Sequence, residues 1–184
     1  MTQGPIIAIC GAPGAGKSRL AKGLSVRMGC ELISYDTYET FTRSGPETVQ
    51  EWISRGSPYS EIETPGLSDA LRVAAAHGPV VFDTPLGRAH PQTGKLIDKA
   101  VWIDCPADLA LSRKVAQLAD TVPTARAGAF VDWLKGYLAQ YELIVRPACA
   151  LQLARVKPLC EVCVDAHHQV DYILDGLVDQ LNER

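Results

Sequence analysis

The sequence predicts an α/β fold: a five-stranded parallel sheet between two layers of helices, three layers in all. Three observations predict it. Apolar runs of strand length alternate with longer stretches of helical spacing, the pattern of parallel strands joined by crossover helices. A chain of 184 residues, 47% apolar and 21% charged, suits one compact core, so residues 1–184 read as a single domain. Lastly, a glycine-rich octet joins the first apolar run directly to the first helical one.

The elements follow in chain order. Residues 5–10 (PIIAIC) form a continuous apolar strand, and 19–28 a helix. Residues 31–35 (ELISY) make the second strand. The Ala- and Leu-rich stretch 67–77 ends at Gly78 and reads as the helix entering the third strand, 79–83 (PVVFD). Residues 99–104 (KAVWID) are the fourth strand, stopped by Pro106. Leu109, Leu111, Val115 and Leu118 then give 107–119 helical spacing. A further helix covers 130–145, and a fifth strand 159–164. Asp165 is placed to cap the closing helix over 168–181. Residues 40–65, rich in Gly and Pro, and 120–128 (DTVPTARAG) fit neither pattern. They are expected to be substrate and lid loops, since ligand loops leave the carboxyl ends of strands.

Composition excludes several classes. With 12 Pro and 15 Gly the chain is neither collagen-like nor low in complexity. Lys plus Arg number 18 against 21 acidic residues, a net charge of −3, so bulk attraction to nucleic acid is not expected. No stretch approaches the roughly 18 apolar residues of a membrane span, and no basic segment precedes an apolar one at the start. A cytoplasmic protein is expected. The six cysteines read as reduced core and edge thiols, because Cys160-x-x-Cys163 has no second pair to complete a zinc site.

The octet Gly11-Ala12-Pro13-Gly14-Ala15-Gly16-Lys17-Ser18 satisfies the phosphate-loop pattern G-x-x-x-x-G-K-[ST] at every defined position. Its setting between a strand and a helix is the one that the chemistry needs. Glycines let successive N–H groups turn toward phosphate oxygens, the helix start adds partial positive charge, and Lys17 reaches the terminal phosphates. Ser18 offers a hydroxyl to Mg²⁺. The fold is therefore expected to be that of P-loop NTPases, with a small lid at about 120–128. A GTPase is disfavoured: Asp83 to Gly87 is one residue too long for D-x-x-G, and no guanine-reading N-K-x-D occurs. A large motor ATPase is disfavoured by the single carboxylate of VVFDT. Thr93-Gly94-Lys95 imitates a second phosphate loop but continues with Leu96 in place of a hydroxyl.

Asp36 follows the second strand and Asp83 ends the third. Phosphoryl transfer uses one carboxylate to orient or deprotonate the attacking hydroxyl and another to hold Mg²⁺ or its waters. Beyond Asp83, Arg88 and His90 leave the same strand end and suit a polar or anionic group of the acceptor. Arg126, in the lid candidate, is placed to meet the transferring phosphoryl. Arg113 and Lys114 are further sources of positive charge.

These residues together resemble the uridine kinase and phosphoribulokinase branch of the P-loop kinases. Asp36-Thr37-Tyr38 stands where that family has its Asp-Asp/Ser-Phe/Tyr-Tyr element. Asp83 stands where it has an acidic residue, and Gln140-Tyr141 with Val145-Arg146-Pro147 matches its Gln-Tyr and Val-Arg-Pro segment. The chain departs from the family at Thr84-Pro85, where a Gly is usual, and in lacking the Arg-Asp … Glu-Arg-Gly lid stretch. The resemblance implies strand order 2-3-1-4-5, which would bring Lys17, Ser18, Asp36 and Asp83 to one cleft. It also implies ATP and Mg²⁺ as cofactors, Asp36 as base, and Asp36 and Tyr38 at the acceptor.

The expected function is ATP-dependent phosphorylation of a hydroxyl on a small metabolite, with a uridine-like nucleoside the leading acceptor. The alternative is a nucleotide-binding regulatory or accessory ATPase without a dedicated acceptor. The expected partner is the small-molecule acceptor, with neither membrane nor bulk nucleic acid; the sequence leaves the oligomeric state open.

Overall fold

A computed structural model describes residues 3–121 and 127–182. Five strands, β1 (Ile6–Gly11), β2 (Glu31–Ser34), β3 (Val80–Asp83), β4 (Lys99–Asp104) and β5 (Val162–Asp165), form one sheet in the order β2-β3-β1-β4-β5. Every pairing is parallel. The helices are α1 (Lys17–Met28), α2 (Pro46–Ser54), α3 (Leu67–Ala75), α4 (Ala107–Thr121), α5 (Ala127–Gln140), α6 (Arg146–Arg155) and α7 (Val170–Asn182).

The period of two in β1 divides the core. Ile6, Ala8 and Cys10 face one side, where Phe82 and Trp102 meet Leu67 and Leu71 of α3, together with Trp52 and Tyr59. Ile7 and Ile9 face the other, where Val81, Val101 and Ile103 meet Leu20 and Leu24 of α1 and Leu174 and Leu177 of α7. Both faces are covered, which is why β1 and β3 are buried along their whole length and read as unbroken apolar runs.

The register decides what reaches the sheet's edge. Ile9 pairs with Asp83, and Asp83 with Ser34. The phosphate loop after β1, Asp36 two residues past β2, and Asp83 at the end of β3 therefore leave neighbouring strands at the same edge.

Several expectations are corrected. Residues 40–65 are not a plain loop: they hold α2, begun by Pro46 in its first turn, and short 3₁₀ turns at Phe41–Ser44 and Tyr59–Glu61. The helix expected over 130–145 is α5, ending at Gln140, followed by a π-turn at Tyr141–Val145 and then by α6, which the pattern did not reveal. The Tyr-Glu-Leu-Ile-Val run hides that break because it keeps helical spacing. Asp165 does not cap α7; its Oδ1 accepts from His167 N at 2.8 Å and closes a turn before the helix. Among the described residues no helix is long and apolar enough to cross a membrane.

Candidate active site

The phosphate loop is shaped by its glycines. Gly14 (φ +84°) and Gly16 (φ +98°) lie in the left-handed region. A Cβ on Gly14 would stand 2.1 Å from the Ala110 carbonyl oxygen, so α4 packs against the loop only because that side chain is absent. Gly16 immediately precedes α1, which puts the free N–H groups of the helix start beside the loop. Lys17 folds back across it and donates from Nζ to the Ala12 carbonyl at 3.1 Å.

A cleft of about 1460 Å³ opens at this edge of the sheet. Lys17, Ser18, Asp36 and Asp83 all line it. Asp83 is 7% exposed, and its burial raises the carboxyl above its usual range, opposed by a hydrogen bond from Ser18 and the charge of Lys17. Burial likewise lowers the Lys17 ammonium, with Asp83 and then Asp36 opposing. Each charge is thus held in a desolvated setting partly by the others, the arrangement in which perturbed groups mark a working site.

The oxygen donors here suit Mg²⁺. That ion keeps most of its waters and takes one or two protein oxygens together with phosphate oxygens, which the Ser18 hydroxyl and the Asp83 carboxylate can provide. A cation would also offset the burial of Asp83. Among the described residues no three His, Cys, Asp or Glu side chains gather into a dedicated metal cage.

By the elements that supply them, the lining residues of the cleft fall into two groups, its two arms. One is lined by Arg113, Lys114 and Gln117 of α4 and by His167 to Gln169 before α7. Arg113 is fixed there by donating from Nη2 to the Ala166 carbonyl at 2.8 Å; both basic residues lie inside α4, not at its end. The other arm is lined by Tyr35, Glu39, Phe41, Trp52 and Tyr59, with Gln152 of α6. Glu39, 8% exposed, accepts from Thr42 N at 2.6 Å and Thr42 Oγ1 at 2.7 Å, which fixes the chain where it leaves the Asp36 turn. Trp52 stacks on Tyr59 with ring centroids 6.1 Å apart. Sequence reasoning missed this second arm, although its aromatic residues cluster in the unassigned stretch.

Three expected acceptor residues stand elsewhere. Arg88 donates to the carbonyls of Asp98 at 2.7 Å, Leu159 at 2.9 Å and Ile97 at 3.3 Å, and pairs with Glu161. It ties the loop after β3 to β4 and the entry of β5 and does not line the cleft. His90 is fully buried: its Nε2 donates to the Ile62 carbonyl at 3.2 Å, leaving Nδ1 to accept from the Thr93 hydroxyl at 2.9 Å. Burial lowers its pKa, and it serves the core as a neutral ring. Tyr38 packs half-buried against the apolar core. Arg126 and most of the lid candidate at 120–128 lie outside the described residues. Trp52 and Trp102 are buried, whereas Trp133 is 36% exposed.

Comparison with known proteins gives a family and a fold. Residues 7–121 match the model of the AAA domain family. A search of curated proteins gives no match. Among solved structures, a sugar kinase from Janibacter sp. HTCC2649 is similar with a TM-score of 0.59 at 15% identity, covering 97% of this chain and 95% of that one. A deoxyadenosine kinase from M. mycoides with bound dATP gives a TM-score of 0.58 at 15% identity, covering 96% and 99%. A gluconokinase from Sinorhizobium meliloti 1021 gives 0.51 at 18% identity, covering 97% and 95%.

Proposed function

The chain belongs to the AAA domain family, and from that premise and the cleft we propose that it is an ATP-dependent phosphotransferase acting on a hydroxyl of a small metabolite. The observation that carries the reading is the convergence of Lys17, Ser18, Asp36 and Asp83 on one cleft from three adjacent strands. The likeness in fold to kinases of sugars, gluconate and deoxyadenosine supports the same class.

In this reading the loop N–H groups and Lys17 hold the phosphates of ATP, and Ser18 and Asp83 hold Mg²⁺, which neutralises phosphate charge when bound. Asp36 accepts the proton of the acceptor hydroxyl. The acceptor oxygen forms a bond to the γ-phosphorus as the bond from that phosphorus to the bridging oxygen breaks, and the electron pair leaves on ADP. The α4 arm takes the nucleoside part of ATP, and the aromatic arm takes the acceptor. A uridine-like nucleoside is the leading acceptor, on the resemblance of Asp36-Thr37-Tyr38 and the Gln140-Tyr141 segment to uridine kinases.

Acceptor-dependent ADP release tests this. Lys17→Ala is expected to lower turnover by at least about 100-fold, since no other side chain of the loop carries positive charge. A variant with near-native turnover would sink the assignment.

A further inference from the structure

Among the described residues, Tyr35 Oη, Tyr59 Oη and Gln152 Oε1 are buried with no hydrogen-bond partner, and all three residues line the aromatic arm. They are 3%, 8% and 8% exposed. A finished core pairs nearly all its buried polar atoms, so three orphans in one wall mark a surface made for something else to meet. They come from three separate segments: the turn after β2, the turn after α2, and α6. Tyr59 is near enough to Tyr35 to contribute to raising its phenol, behind burial and the charges of Glu39 and Asp36, and Arg155, one turn beyond Gln152, lies over the Tyr59 ring at 5.5 Å.

The charged groups around them are largely engaged. Glu39 holds Thr42, and Arg155 donates to the carbonyls of Gly56 at 2.9 Å and Ser57 at 2.8 Å. The unpartnered buried atoms themselves are neutral: two phenols, each donor and acceptor, and an amide oxygen. Glu39 and Asp36 both act electrostatically on the Tyr35 phenol, and negative charge at this wall disfavours an anion. Tyr35 and Tyr59 sit on one-turn 3₁₀ segments, Tyr35–Thr37 and Tyr59–Glu61, and both residues line the cleft.

Resting on the phosphotransferase reading, we propose that Tyr35, Tyr59 and Gln152 form an acceptor subsite that selects an uncharged, polyhydroxylated molecule over acid or phosphorylated forms of the same skeleton. The phenols and the amide take hydroxyls that are not phosphorylated, leaving the reacting one to Asp36. A site built to pair hydroxyls discriminates strongly, because the wrong ligand leaves its buried groups orphaned.

The full chain with ATP and Mg²⁺ is assayed for ADP release with uridine, ribose and glucose, and with their charged counterparts uridine monophosphate, ribose phosphate and gluconate. At least one neutral compound is expected to stimulate release, with kcat/KM at least about tenfold above its charged counterpart. Tyr35→Phe and Tyr59→Phe are each expected to raise the acceptor KM about three- to tenfold, the loss of one neutral hydrogen bond, with kcat and the ATP KM nearly unchanged. Each is also expected to raise the Tm of the free protein by about 1–2 °C, because it removes a polar atom that has no partner. Stimulation by charged compounds alone, an unchanged acceptor KM in both variants, or a fall in Tm overturns the subsite and leaves the phosphotransferase standing. No stimulation across both halves of the panel overturns the subsite together with the reading on which it rests.

Discussion

Asp83 shows how one residue links stability to chemistry. Folding raises its carboxyl above the ordinary value, chiefly by burial. Stability from this group is therefore complete below the unfolded pKa and is lost as pH rises through the folded one. Asp83→Asn removes that loss. Its Tm is expected to gain on the wild type as pH rises from about 4 to about 7, while the stabilisation given by ATP and Mg²⁺ shrinks. A difference in Tm that stays flat across that range would mean the carboxyl is not held in a desolvated setting. Asp36, two residues past β2, is given the proton-accepting part. Asp36→Asn should leave ATP-induced stabilisation nearly intact and lower kcat by about 100- to 10,000-fold. Equal mild losses at both positions would show them to be strand-end residues without roles in transfer.

At the scale of elements, the loop after β3 is an anchor. Arg88 carries hydrogen bonds to the Ile97, Asp98 and Leu159 carbonyls and a pair with Glu161, spanning three parts of the chain. Arg88→Ala is therefore expected to lower stability by about 1–3 kcal/mol, read by urea unfolding, and to leave acceptor and ATP KM values unchanged. A selective rise in the acceptor KM with native stability would return Arg88 to the site. An Arg and a His five and seven residues past a strand end look like cleft residues, but Gly87 (φ +47°) turns the chain inward, with its Cα hydrogen side against Cys10. A Cβ at Gly87 would lie 2.7 Å from Cys10 Sγ. No local pattern announces such a turn. The phosphate loop, by contrast, was legible because its spacing, its strand and its helix all lie within one stretch of sequence. The aromatic arm was not, because Tyr35, Trp52, Tyr59 and Gln152 come together only through tertiary packing.

For the whole molecule, the alternation of strands with helices was enough for the class of fold, and the strand order followed from the resemblance carried by the phosphate loop and Asp36. That order matters most to function. With β3 between β2 and β1, three strand ends deliver a cation, a hydroxyl and two carboxylates to one edge, as crevice sites of open parallel sheets require. The α6 helix escaped detection, since a π-turn and a helix continue the same apolar spacing, yet its Ala148, Leu151 and Gln152 line the cleft. The central claim is that this edge transfers phosphate from ATP to a hydroxyl of a small molecule. Its most direct measurement is ADP release by the purified chain with ATP and Mg²⁺, with and without added acceptors, alongside Asp36→Asn. Release is expected to be stimulated at least about tenfold by an acceptor, with phosphate recovered on the acceptor, and that stimulation to be lost in Asp36→Asn. Release indifferent to every acceptor, with all phosphate recovered as the free ion, would contradict it.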